Sequence, residues 1–162
     1  MAQEPTTMNE LPDLPAKTLE AVLHRDIPLT LEMGIKVLGW RDHQLRLHLP
    51  LAPNVNHKNT LFGGSLYCGA VLAGWGWLYL RLKEAGIDDG HIVIQDGQIN
   101  YPLPVTRDGI AICDAPDEAS CEKFLKLYQR RGRARMALHT RIVAEDSEET
   151  AVEFVGQFVL HR

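Results

Sequence analysis

The sequence predicts an α+β domain in which an antiparallel sheet of about six strands is wrapped around one long central helix. Three observations carry this reading. No charged residue occurs between Lys58 and Arg81, and that apolar stretch suits a helix buried on all sides. The chain around it holds short runs that alternate apolar and polar residues, the pattern of strands with one covered face. A single sheet curled around the helix would cover most of it while leaving the sheet's other face polar.

A charge-free run of this length also fits a membrane span of ~20 residues. Its five glycines, Gly63, Gly64, Gly69, Gly74 and Gly76, and the strand-like runs that need an apolar partner favour a protein core instead. Gly69, Ala73, Gly76 and Leu80 fall on one helical face, where small side chains let a sheet come close despite the helix-propensity cost of glycine. Trp75, Tyr79 and Leu82 form a bulkier face, and Trp75 and Trp77 suit either an apolar pocket or core packing.

The other elements follow in order. Residues 1–14 read as a flexible lead-in and residues 15–162 as a single domain. Pro15 opens a short helix with Leu19, Val22 and Leu23 on one side, ending near Asp26 before Pro28. Strands are expected over 34–40 and 44–51, with Leu45, Leu47, Leu49 and Leu51 opposite Arg46 and His48 and a turn at Arg41-Asp42-His43. After a polar loop, the central helix runs to a stop at Gly86. An extended segment covers 91–101, until Pro102 and Pro104 interrupt it, and Arg107-Asp108-Gly109 turns into a strand at 110–113. A helix over about 116–130 gathers Cys121, Leu125 and Tyr128 and ends at Gly132. Two last strands, 133–144 and 150–160, are joined by an acidic turn.

Composition narrows the function. A formal net charge of −4 argues against nucleic acid as the main partner, since phosphate neutralisation needs excess Lys and Arg. Three cysteines, Cys68, Cys113 and Cys121, with no C-x-x-C, suggest neither a disulfide framework nor a zinc site and fit a reduced cytoplasm. The acids and prolines of the first residues do not form an export signal.

The run Asn56-His57-Lys58-Asn59-Thr60-Leu61-Phe62-Gly63-Gly64 resembles the N-x-x-G-x-x-H-G-G signature of hot-dog acyl-CoA thioesterases. It is closer still to the N-H-K-x-T-x-F-G-G-S-L run of the thioesterase family of the YiiD C-terminal type. The resemblance implies the hot-dog fold and hydrolysis of a thioester carried by coenzyme A or an acyl carrier protein. It also implies a tunnel at the interface of a homodimer or dimer of dimers, with no metal and no cofactor. In such a site Asn56 places or polarises the reacting groups, and the Gly63 and Gly64 amides at the helix start polarise the thioester carbonyl. Elementary physics agrees with the second role, because a helix N-terminus offers unpaired N–H groups and a positive dipole end.

Two positions depart from the pattern. Val71 stands seven residues beyond Gly64, where related enzymes carry an acid, and Phe62 replaces the signature histidine. No Asp or Glu lies between Asp42 and Glu84, so the acid is not merely shifted along the helix. Asp96 is the candidate substitute, a general base toward water that in a hot-dog dimer reaches the site of either protomer, or else a surface or turn-stabilising carboxylate. Asn54, His57, Lys58, Phe62, Ser65 and Cys68 are candidates to line the substrate site, with Ser65 or Cys68 a covalent nucleophile only if His57 serves as base. Arg130, Arg131, Arg133 and Arg135 cluster where a helix becomes a strand. Of these, Arg131, Arg133 and Arg135 are expected, with Lys58, to hold the phosphates of coenzyme A or the acidic face of a carrier. The alternative to hydrolysis is a module that binds acyl-thioesters without cutting them. A dehydratase would need a His paired with an acid at the helix, which His57 lacks.

Overall fold

The structure is a computed structural model that describes residues 12–162, so most of the lead-in expected over residues 1–14 lies outside the described residues. Helix α1, Leu14–Asp26, begins before Pro15 because Asp13 caps it: one carboxylate oxygen accepts from the Ala16 amide at 2.8 Å and the other from the Trp40 amide at 2.9 Å. One side chain thus ends the loop, starts the helix and ties both to the sheet. Leu19, Val22 and Leu23 are buried, as the pattern predicted.

A four-residue helix, α2, Leu29–Glu32, was not foreseen; its one buried residue, Thr30, donates its hydroxyl to the Ile27 carbonyl. Strands β1, Lys36–Arg41, and β2, Gln44–Leu49, form the expected hairpin, with Asp42 and His43 both at positive φ as a tight two-residue turn requires. Both strands are shorter than predicted, and a 3-10 turn, Ala52–Asn54, follows Leu51. The central helix α3 spans Gly63–Glu84 and the strand β3 spans His91–Asn100. After β4, Gly109–Cys113, come helix α4, Glu118–Arg131, and strands β5, Arg133–Ala144, and β6, Thr150–His161. Helix α4 buries Phe124 beside Cys121 and Tyr128, with Leu125 only half-buried, and ends at Gly132 with φ 67°.

All strand pairs are antiparallel, in the order β1-β2-β4-β5-β6-β3. The sheet curls around α3, which touches β2, β3, β4, β5 and β6. The close approach falls where the small residues are. A Cβ on Gly69 would sit 3.4 Å from Leu49, and one on Gly76 would sit 2.9 Å from both Leu19 and Leu45. At Gly74 the Phe158 ring occupies the space, 2.5 Å from where a Cβ would be. Among the described residues no helix is long and apolar enough to cross a membrane.

Cross-strand register separates the two faces of the sheet. The Thr140 hydroxyl donates to the Ala70 carbonyl of α3, so Thr140, its partner Phe154 and the next partner Ile99 face the helix. The opposite face is less polar than predicted. Ile110, Ile112 and Val143 are buried there with Leu38 against them, a second small cluster.

At its far end α3 is locked to the first hairpin. The Glu84 carboxylate accepts from Trp40 Nε1 at 2.7 Å, His43 Nε2 at 2.9 Å and Arg81 Nη1 at 3.0 Å, while Trp77 Nε1 donates to the His43 carbonyl. Burial raises the Glu84 pKa, but the bonds from Trp40, Arg81 and His43 together outweigh it and hold the carboxyl below its usual range. With its folded pKa depressed, its contribution is present above the unfolded pKa and fades as pH falls through the folded one.

Two outcomes are expected. Gly74→Ala destabilises by about 1–3 kcal/mol in urea unfolding despite the better helix propensity of alanine, because Phe158 has no room to give. Glu84→Gln costs up to about 1 kcal/mol at pH 7, a small figure because the side chain keeps 39% exposure, and the gap to the parent closes below pH ~4.

Candidate active site

The polar loop before α3 is a small closed structure. An isolated bridge pairs Val55 with Leu61, and between them the Asn56 side chain accepts from the Lys58 amide at 2.9 Å and the Thr60 amide at 3.1 Å and donates to the Thr60 hydroxyl at 2.9 Å. Asn59 takes φ 61°, which lets the loop close in so few residues. Asn56 therefore spends most of its hydrogen-bonding capacity on the loop, keeping one Nδ2–H for anything else. Asn54 spends more: it is 4% exposed, and its amide nitrogen donates to the Met33 and Pro50 carbonyls, both at 2.8 Å. Its role is to hold the loop against the sheet, and it offers no free donor to a ligand. His57 and Lys58 are exposed at the loop tip.

The loop delivers the chain to α3 in a defined pose. The Phe62 amide donates to the Asn54 carbonyl at 2.8 Å and the Leu61 amide to the Val105 carbonyl. Phe62 is the N-cap, no side chain caps it, and Leu66 donates the first bond back to the Phe62 carbonyl. The Gly63, Gly64 and Ser65 amides thus lie ahead of the helical ladder. The half-exposed Phe62 ring lies across Gly64, 2.5 Å from where a Cβ would stand, so a larger residue there would displace the ring. Tyr101, just past the end of β3, comes from the other side: its hydroxyl donates to the Gly63 carbonyl at 3.0 Å and its ring packs 3.6 Å from the Cβ position of Gly63.

From this end a half-buried stripe runs along α3: Tyr67 and Cys68, then Val71, Trp75 and Tyr79. Trp75 stacks on Tyr79 at 5.4 Å and donates to the Ile92 carbonyl of β3. Trp77, by contrast, is 1% exposed and belongs wholly to the core. Burial pushes the Cys68 thiol up, against the lowering a helix N-terminus would give, and the exposed His57 makes no bond to it. A Cys68 nucleophile with a His57 base has no support in this geometry, and among the described residues no base is hydrogen-bonded to Ser65.

Two predicted groups lie elsewhere in the chain. Asp96 pairs with Gln157 beside a bulge at Gln95; its neighbours Gly97 and Ile99 face or alternate with the helix side, which turns the exposed Asp96 carboxylate to the far face of the sheet. Within one chain the base expected at Asp96, to serve the site of either protomer, is thus directed away from the α3 side. Arg133 aligns with His161 and His91, at the start of β3, whereas Tyr101 and Gly63 lie beyond its end. Arg131, Arg133 and Arg135 are exposed and separated from the Gly63 amides by roughly 30 Å of strand. Within one chain the structure brings together Asn56, Phe62, Gly63, Gly64 and Ser65, adds Tyr67 and Tyr101, and leaves Asp96 and the arginines apart. Tyr67 and Tyr101 were missed because only the pairing of β3 shows what its end meets.

The family model described as "Putative thioesterase (yiiD_Cterm)" matches residues 16–162. The chain belongs to this family. Among solved structures, it is similar to a protein of unknown function from Chlorobaculum tepidum TLS, with 34% identity and TM-score 0.85, covering 91% of this chain and 94% of that one. A structure titled "putative thioesterase" from Shewanella oneidensis is 29% identical with TM-score 0.78, covering 91% and 98%. A thioesterase from Haemophilus influenzae, at 14% identity, TM-score 0.70 and coverage of 90% and 89%, shares the fold alone. The fold of this YiiD-type thioesterase family member is the hot-dog fold expected from its sequence.

The raised Cys68 pKa carries its own expectation. In the native protein Cys68 reacts with iodoacetamide at pH 7 several-fold more slowly than free cysteine, and the rate climbs only above the usual thiol range of ~8.5, as read by mass spectrometry of the Cys68 peptide.

Proposed function

We propose that this protein hydrolyses a thioester whose acyl group is carried by coenzyme A or an acyl carrier protein. The observation that carries the proposal is the uncapped start of α3, where Gly63 and Gly64 present amides beside the half-open stripe of Tyr67, Val71 and Trp75. In this reading the acyl chain lies along the stripe, and the thioester carbonyl oxygen receives the amides as negative charge develops on it. Water attacks the carbonyl carbon and passes its proton to solvent water, the carbon–sulfur bond breaks, and the products are the carboxylate and a thiolate that takes up a proton from solvent. Thiols have pKa near ~8.5, so this leaving group needs little protonation, which removes the demand for a strong acid but not for a group that accepts the water's proton. The Asn56 N–H left over from the loop is available to orient water or substrate.

We further propose that the unit is a homodimer joined through β3. That strand is a sheet edge, its outer backbone groups are open to pairing, and Val93 (45% exposed), Ile94 (37%) and Tyr101 (48%) stand along it. A second copy there would cover the α3 stripe and close the acyl site. The free thiols of Cys68, Cys113 and Cys121 accord with work in a reduced compartment such as the cytoplasm.

Val71 and the orientation of Asp96 favour a specific second reading, a module that binds acyl-thioesters without cutting them, since neither puts a carboxylate on the α3 side of the sheet. Free-thiol release from short, medium, long and aromatic acyl-CoAs and from acyl-carrier-protein thioesters separates the two. Hydrolysis predicts release that falls at least tenfold in Asn56→Ala and stays within about twofold in Asp96→Asn. Binding of the same thioesters with no release above background would establish the non-catalytic module. Ile94→Lys is expected to shift the protein toward monomer in sedimentation and to lose turnover with it, because a charge at the edge opposes pairing.

A further inference from the structure

An uncapped helix that begins with two glycines frays readily: each glycine costs about 1 kcal/mol relative to alanine, and a missing cap leaves the first amides without a partner. Amides aimed at a developing oxyanion are useful only if they stay still. Something must therefore hold the first turn of α3 without occupying its N–H groups. Phe62 does part of this through the hydrogen bond its N–H donates to the Asn54 carbonyl and through its ring over Gly64, but that ring is 55% exposed.

The other side is held by two tyrosines in opposite senses. Tyr101, from the end of β3, donates its hydroxyl to the Gly63 carbonyl and lays its ring on the bare α-carbon of that glycine. Tyr67, from the second turn of α3, reaches back to β3, where a Cβ on Gly97 would collide with its hydroxyl, and its ring meets Phe154 edge-on at 5.3 Å. The carbonyl that Tyr101 engages points down the helix, so the bond fixes the residue while leaving its N–H free. Burial, and then the neighbouring Tyr67, raise the Tyr101 pKa above the usual phenol range, so the hydroxyl is a neutral donor at physiological pH and not a base.

Resting on the thioesterase reading above, we propose that Tyr101 is the positioning residue of the site, fixing the Gly63–Gly64 turn so that its amides meet the thioester carbonyl. Tyr101 acts through Gly63, and Tyr67 sets the spacing of helix and strand that lets it reach. Because Tyr101 follows directly on the edge strand β3, any second copy that pairs with that edge abuts the residue that orders the amides, which couples association to the geometry of the site.

The test is Tyr101→Phe, which keeps the ring on Gly63 and removes only the hydroxyl. Its acyl-CoA turnover is expected to fall about tenfold in kcat with KM within twofold, at an unchanged thermal midpoint, while the Gly63 and Gly64 amides gain mobility in 15N relaxation. A kcat within twofold of the parent overturns the proposal. So does a fall in kcat with unchanged amide mobility, which would instead have the hydroxyl touch the reacting atoms. If the parent releases no thiol from any substrate, the thioesterase reading fails by itself. The relaxation data then decide the positioning role alone: rigid amides in Tyr101→Phe overturn it, and loosened ones support it.

Discussion

A helix with apolar side chains all round has no solvent face to set its rotation, so α3 takes its orientation from where the sheet can come close. Gly69, Ala73 and Gly76 are that place. Leu49 and Leu45 of β2 and Leu19 of α1 fill the room left by absent side chains, and Phe158 of β6 does the same at Gly74. Once the glycines are against the sheet, the bulkier Tyr67, Trp75 and Tyr79 must turn toward the gap between α3 and the edge strand. The half-open stripe is thus a consequence of the close face, and a change that fills the glycine side would rotate or lift the stripe with it.

The same burial explains why chemistry is confined to the ends of the helix. A charge along the middle of α3 would face either the apolar core or the stripe, and an unpaired buried carboxylate is costly. Charge appears only at the last turns, where Arg81 and Glu84 meet Trp40 and His43. At the first turn, polarity is supplied by the backbone. The α3 N-terminus offers amides in place of side-chain cations, and Tyr101 spends its hydroxyl on the Gly63 carbonyl beside them. Such an end can stabilise negative charge better than it can take a proton from water, because it presents backbone donors and no carboxylate.

Local pattern made most elements legible. The Leu45, Leu47, Leu49 alternation, the positive-φ turn at Asp42 and His43 and the stop at Gly132 all express short-range sterics, and each appeared where the sequence placed it. The helix α2 was missed because a four-residue turn after Pro28 has no room for a period. The buried Phe124 was missed because Leu125 fits the same helical face nearly as well. The Ile110, Ile112, Val143 cluster was missed for a different reason: alternation assigns one apolar face to a strand, and β4 is short enough to be covered on both.

The site was legible only as far as it is local. Asn56 to Ser65 is one continuous segment, and its compactness could be read from its own residues. Asp96 and the arginines required knowing which way β3 faces and which end of it lies near Gly63. That depends on the pairing of β3 with β6, about sixty residues later in the chain, and on one extra residue at Gln95. A shift of one residue along a strand moves a side chain to the other face of the sheet. A carboxylate expected beside the substrate then stands in solvent, and a tyrosine not expected there closes on the first residue of the helix.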